Sequence, residues 1–174
     1  MTAEYGYAWS PKRITVSTIG IIPAMQRFLE KSKCHLAISL HSPFDEERLK
    51  LMPVQHVYPI GEVLKVIRAF DFGLQRRVSF EYIMFKGLND TPAHVKKLAK
   101  LLNGLHCRIN LIRFHPIPNT PLEGSDDATI KYFQEGLEDK GIITTIRASR
   151  GLDIFAACGL LSTKELVKSK EGDF

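Results

Sequence analysis

Five short apolar runs, separated by stretches with helical periodicity, constrain this chain more than any other feature of its sequence. The runs are RITVSTIG (13–20), CHLAISLHS (34–42), RVSFEYIMF (77–85), CRINLIRF (107–114) and GIITTIRAS (141–149). They are rich in Val, Ile, Phe and Tyr and end at polar or turn residues, which is the pattern of β-strands. Between them, IPAMQRFLEKS, IGEVLKVIRAF, TPAHVKKLAKLL and DATIKYFQEGLEDK repeat apolar residues at three- and four-residue spacing, so one face of each can be buried as a helix. Thr91 ahead of Pro92 predicts one helix start, Ser125-Asp126 another, and Gly141 stands where the last helix should stop. Strands alternating with helices of this length make βαβ units and a largely parallel sheet, and 174 residues suffice for one domain with one core.

Composition narrows the class. With 44% apolar and 25% charged residues the chain reads as a soluble globular protein. No apolar run approaches the ~20 residues that a membrane helix needs, and MTAEYGYAWS lacks the basic-then-apolar pattern of a secretory signal. The three cysteines are too scattered for a disulfide framework, which points to a reducing cytoplasm. A net charge of +5 is compatible with a nucleic-acid partner without requiring one.

Parallel βα architectures place their chemistry at the carboxyl ends of the strands. The positions to read are therefore Ser17-Thr18, Ser39-Leu40-His41, Lys86 to Asp90, and His115 to Asn119. Hydroxyls at the first two ends can bond a ribose or the amino-acid part of a cofactor, or can simply cap the helix that follows. The proline-rich FHPIPNTP fixes His115 and Asn119 at a rigid turn, as ligand contacts or as a satisfied structural histidine and its neighbour. No CxxC, CxxxCxxC or HExxH occurs, and no Gly-rich phosphate loop, so no metal site is expected within the chain. Cys34 and Cys107 each open a strand, where a buried thiol is the simple reading. Lys96, Lys97 and Lys100 read as a solvated helix face. Cys158, in DIFAACGLL, is unlike the other two cysteines. Two alanines and a glycine flank it, leaving room for packing, metal ligation or attack by the thiolate.

Taken in order, RITVSTIG, HLAISLHSPFDEER, MPVQHVYPI, VSFEYIMFKGLND, CRINLIRFHPIP and TTIRASRGLDIFAACGLL resemble the RlmN/Cfr family of radical S-adenosylmethionine (radical SAM) RNA methyltransferases, and within it the RlmN branch. The resemblance runs from about residue 11 to about residue 163, and AACG is its most specific motif. It implies a partial (β/α) barrel of the radical SAM type that here lacks its first two βα units, leaving an open, mostly parallel α/β sheet with an exposed apolar edge. The chain is then the C-terminal part of a longer protein. Residues 1–12 form a lead-in, 13–147 the barrel part, and 148–174 a terminal segment bearing the catalytic cysteine.

The same resemblance implies roles for individual residues. Ser17, Ser39, Leu40 and His41 line a SAM site. His115 stands where relatives usually carry asparagine, and an imidazole can still donate one hydrogen bond there. Cys158 is the methyl carrier: one SAM methylates its thiol, and a second is cleaved at a 4Fe-4S cluster to a radical that takes hydrogen from the S-methyl group. The resulting carbon radical adds to carbon 2 of an adenine, and a second cysteine frees the product by forming a disulfide with the first. The cluster ligands and the resolving cysteine lie outside this chain, so the chain alone is expected to be inactive. Arg147 and Arg150 are candidate RNA contacts. The implied partner is 23S rRNA, with tRNA as a second possible substrate, for a protein that is monomeric at full length, cytoplasmic and not bound to a membrane. Three alternatives stay open: methylation at carbon 8 as in Cfr, an RNA-binding remnant without catalysis, and a complete small α/β enzyme with a closed sheet and other chemistry.

Overall fold

The computed structural model describes residues 2, 5–73, 77–116 and 120–147. Five strands, β1 (Thr15–Thr18), β2 (His35–Ser39), β3 (Val78–Met84), β4 (Cys107–Arg113) and β5 (Ile143–Arg147), make one parallel sheet whose spatial order is the order of the sequence. Each lies inside one of the five apolar runs. The crossovers carry α1 (Ile22–Lys31), α2 (Asp45–Leu51) and α3 (Ile60–Ala69), then α4 (Pro92–Leu102) and α5 (Asp127–Glu138). Right-handed crossovers between strands laid down in sequence order put every helix on the same side of the sheet.

The side chains show that arrangement. Leu36, Ile38 and Leu40, Phe80, Tyr82 and Met84, and Ile109 and Leu111 pack as one core against Met25 and Leu29 of α1, Val63, Leu64 and Ile67 of α3, Val95 and Leu98 of α4, and Phe133 and Leu137 of α5. Burying each of the larger residues contributes about 1.5–3 kcal/mol. Tyr82 stacks on Phe133 with ring centroids 5.4 Å apart, and its hydroxyl donates to the main-chain oxygen of Asn89 at 2.7 Å. Strand side chains alternate between faces, so Ser39, Ser79, Glu81, Arg108, Asn110 and Thr145 project from the face opposite the helices. A parallel strand covered on both faces would read as a continuous apolar run. Ser79 and Glu81 of β3 and Arg108 and Asn110 of β4, polar residues at alternate positions, therefore mark a face that the helices leave uncovered.

The sheet is open. β1 forms one edge, and Val16, with Ile19 and Ile21 just after the strand, is more than a third exposed, so the expected apolar edge is present. Helix signals hold in outline and differ in detail. Asp126 caps α5 by accepting from the Thr129 amide at 2.7 Å, and Gly141 follows with φ +76°. Thr91 precedes Pro92 as expected, but its hydroxyl pairs with Nδ1 of His94 at 2.7 Å and not with a main-chain amide. Lys96, Lys97 and Lys100 are exposed on α4.

Candidate functional site

The carboxyl ends of β1 and β2 are built around a tight turn. Gly20 takes φ +99°, and a Cβ there would stand 3.1 Å from Cγ2 of Val63, so any other residue would be strained in this turn. Thr18 accepts from the Gly20 amide at 3.1 Å. Ser17 pairs in register with Ala37, two residues before Ser39, which sets both serines on the helix-free face one step apart. Ser17 is exposed and Ser39 half-buried. Leu40 is different: its side chain is wholly buried in the core, so it supports the site from beneath.

His41 is held by two hydrogen bonds, one at its ring and one at its carbonyl. Its φ is +57°, a left-handed conformation that costs a non-glycine residue about 1–3 kcal/mol and persists only where the surroundings impose it. Nδ1 accepts from the Ile83 amide at 3.1 Å, and its carbonyl accepts from Nδ2 of Asn89 at 2.7 Å. Burial, with a smaller contribution from the charge of Arg48, pushes the imidazole down to about 4. A neutral ring that accepts at Nδ1 carries its proton on Nε2, so His41 offers one N–H donor. Asn89 is fully buried and fully used: Oδ1 accepts from the Phe85 amide, and Nδ2 serves the carbonyls of Ile83 and His41, each at 2.7 Å. It ties the end of β3 to the loop after β2.

A polar row starting at Ser39 crosses the same face. Ser39, Glu81, Asn110 and Thr145 share one register. Asn110 donates from Nδ2 to Oε1 of Glu81 at 2.7 Å and accepts from the Thr145 hydroxyl at 2.6 Å. Among the described residues, Oε2 of Glu81 is buried without a hydrogen-bond donor, and Nη1 of Arg147 stands 3.6 Å away. The sequence signal for this row was the alternation in FEYIM, INLIR and TTIR. Arg147, read as an RNA contact, closes β5 with a largely exposed side chain leaning toward Glu81. His115 lies half-buried just past β4. Cys158, Arg150 and Asn119 fall outside the described residues. Cys34 is buried, and burial pushes the Cys107 thiol up to about 11 against the opposing influence of Arg68, so Cys107 supplies no thiolate at neutral pH. Among the described residues no group of three or more His, Cys, Asp or Glu could hold a metal ion, and no helix is long and apolar enough to cross a membrane.

No family model matches the chain. Individual proteins do. It is 61% identical to the "Probable dual-specificity RNA methyltransferase RlmN" of Parabacteroides distasonis, over 96% of this chain and 49% of that protein. It is 48% identical to the "Dual-specificity RNA methyltransferase RlmN" of Nautilia profundicola, over 91% of this chain and 45% of that one. The crystal structure of a radical SAM methyltransferase from Sphaerobacter thermophilus superposes with a TM-score of 0.86 at 42% identity, covering 91% of this chain and 47% of that chain. The chain belongs to the RlmN family. It spans about half the length of the curated RlmN relatives it matches. Near the carboxyl ends of its strands, this RlmN-family sheet carries two serines on the helix-free face, a neutral imidazole with one N–H, and a buried carboxylate oxygen without a hydrogen-bond donor among the described residues. That set suits a ligand rich in hydroxyl and ammonium donors that also bears acceptors, and SAM has this chemistry.

Proposed function

We propose that this chain is the C-terminal part of a radical SAM RNA methyltransferase that adds a methyl group to carbon 2 of an adenine in 23S rRNA, with tRNA as a second substrate. The placement of Ser17, Ser39 and a neutral His41 at the adjacent carboxyl ends of β1 and β2 carries this reading. When bound at an iron–sulfur cluster, SAM supplies both the methyl group and the radical chemistry. This chain's residues then have separable tasks. The two serine hydroxyls bind polar groups of the cofactor, and Nε2–H of His41 donates to an acceptor on it. Leu40 and Asn89 keep those groups in place. Cys158, in the terminal segment 148–174, carries the methyl group as a thioether, with Ala156, Ala157 and Gly159 leaving approach room around the sulfur. Arg147 and Arg150 contact RNA phosphates, and His115 donates one further hydrogen bond toward the cofactor.

The described residues do not fit a cluster site, so its ligands belong to the remainder of the full-length protein, and the chain alone is inactive. The first two βα units of the barrel would pair at the β1 edge. Thiol chemistry of this kind requires a reducing compartment, so the protein is placed in the cytoplasm, as a monomer at full length.

The test is mass spectrometry of adenines in 23S rRNA treated with the full-length protein and with its Cys158→Ala variant. The expected product is 2-methyladenine from the first and none from the second. Product at carbon 8 would instead mark a Cfr-like enzyme. Absence of any methylation, together with salt-dependent RNA binding, would mark a remnant that only binds.

A further inference from the structure

Arg48 stands in the charged stretch DEERLKL of α2, where solvent exposure would be the simple expectation, yet it is completely buried. Its surroundings are main-chain oxygens and an amide. Nη2 donates to the carbonyl of Ser39 at 3.1 Å and to that of Ile19 at 3.3 Å, and Nη1 donates to Oε1 of Gln55. Gln55 is itself fixed: the same oxygen accepts from the Ile60 amide at 3.0 Å, and Nε2 donates to Asp45 at 2.6 Å. Removing a guanidinium from water costs several kcal/mol, and an apolar side chain of similar volume often fills such a site with no loss of stability. Packing alone therefore does not account for an arginine here. With Nη1 anchored to Gln55, the guanidinium supplies one amino group, Nη2, that holds two carbonyls at once. One belongs to the last residue of β2 and the other to the turn that follows β1.

We infer that Arg48 is a positioning residue that sets the spacing between the carboxyl ends of β1 and β2, so that Ser17 and Ser39 meet the same ligand. The inference rests on the proposed SAM site. Gly20 supports it, since that turn packs closely on Val63 and brings the missing Cβ direction to 4.0 Å from Nη2 of Arg48. The charge of Arg48 also helps keep His41 neutral, so one buried cation acts on two of the residues assigned to the site, Ser39 and His41. Burial lowers the guanidinium to about 10, which leaves it charged at neutral pH.

The experiment uses full-length protein with its cluster and measures SAM affinity by equilibrium dialysis, KM for SAM and kcat by turnover, and Tm by calorimetry. Arg48→Met and Arg48→Lys are compared with Ser17→Ala and Ser39→Ala. The expected result for Arg48→Met is SAM binding weakened roughly tenfold or more, as when a group orienting a ligand-binding residue is removed, with RNA affinity unchanged and Tm within a few degrees of the parent. Arg48→Lys should recover part of the loss, because an ammonium can donate to carbonyls but has no second nitrogen to anchor on Gln55. If Arg48→Met fails to fold, Arg48→Lys carries the test alone. Parental SAM affinity in a folded Arg48 variant, alongside weakened serine variants, overturns the role of Arg48 and leaves the SAM site standing. Parental affinity in both serine variants overturns the SAM site and this inference with it.

Discussion

The main-chain amide of Ile83 donates to Nδ1 of His41 across 3.1 Å, so the backbone of a strand decides which imidazole nitrogen carries the proton. Protonating His41 would turn that acceptor into a donor facing another donor. The folded protein holds the ring at about 4, against 6.5 in the unfolded chain. The unfolded state therefore binds more protons in that window. The stabilisation is complete above pH 6.5 and is lost as pH falls toward 4, with a total on the order of 3 kcal/mol. His41→Asn should remain folded, since its amide oxygen can accept from Ile83 and asparagine tolerates φ near +57°. It should also lose most of this pH dependence. Urea midpoints at pH 7 and pH 4.5 for both proteins make the comparison, and equal pH responses would refute the locked tautomer.

Asn89 donates to two carbonyls and accepts from one amide, and aspartate can reproduce only the last of these bonds. Asn89→Asp should cost about 2–4 kcal/mol at neutral pH, the scale of a buried charge facing unpaired acceptors. Part of the loss should return in acid, where a protonated carboxyl can donate once. Chemical denaturation across pH reads both effects, and an unchanged midpoint at neutral pH would contradict the bonding described.

Two glycines should respond in opposite directions. A Cβ on Gly124 would stand 2.7 Å from the main-chain oxygen of Phe114, whereas one on Gly61, in the first turn of α3, meets nothing within 4 Å. Gly124→Ala should destabilise by about 1–3 kcal/mol through forced backbone movement. Gly61→Ala should stabilise by up to about 1 kcal/mol through helix propensity. Thermal unfolding of the two variants is sufficient, and matching shifts would count against the close approach at Gly124.

Arg147 has an exposed side chain with one acidic neighbour, so its charge is available to a phosphate. Arg147→Ala should weaken RNA binding across sequences and reduce the slope of log affinity against log salt by about one, while Arg147→Lys should keep the slope. Titrations at several salt concentrations provide the measurement. An unaltered slope in the alanine variant would confine Arg147 to its partnership with Glu81.

The alternation of apolar runs and amphipathic stretches was enough to read the sheet, because period and burial are local properties of a sequence. The positions of Ser17, Ser39 and His41 at or beside the carboxyl ends of β1 and β2 were readable for the same reason, while their roles toward a cofactor rest on the family resemblance. Arg48 was not readable. Inside DEERLKL it looks like any surface charge, and only the packing of α2 beneath two strand ends buries it. Asn89 fell within a stretch already singled out, but the three groups it serves come together only after β2 and β3 pair. Glu81 escaped notice because a polar residue inside an apolar strand reveals its face and not its neighbours. For Cys158 the sequence motif remains the whole basis of its assigned role, since it lies beyond the described residues.

Each strand of this sheet touches only its neighbours in the sequence. No strand waits for a later one to be inserted beside it, so the sheet can grow unit by unit in the direction of synthesis, each βα pair docking on a surface already formed. The same order makes the architecture divisible: a boundary drawn between two units removes a margin of the sheet and never a central strand.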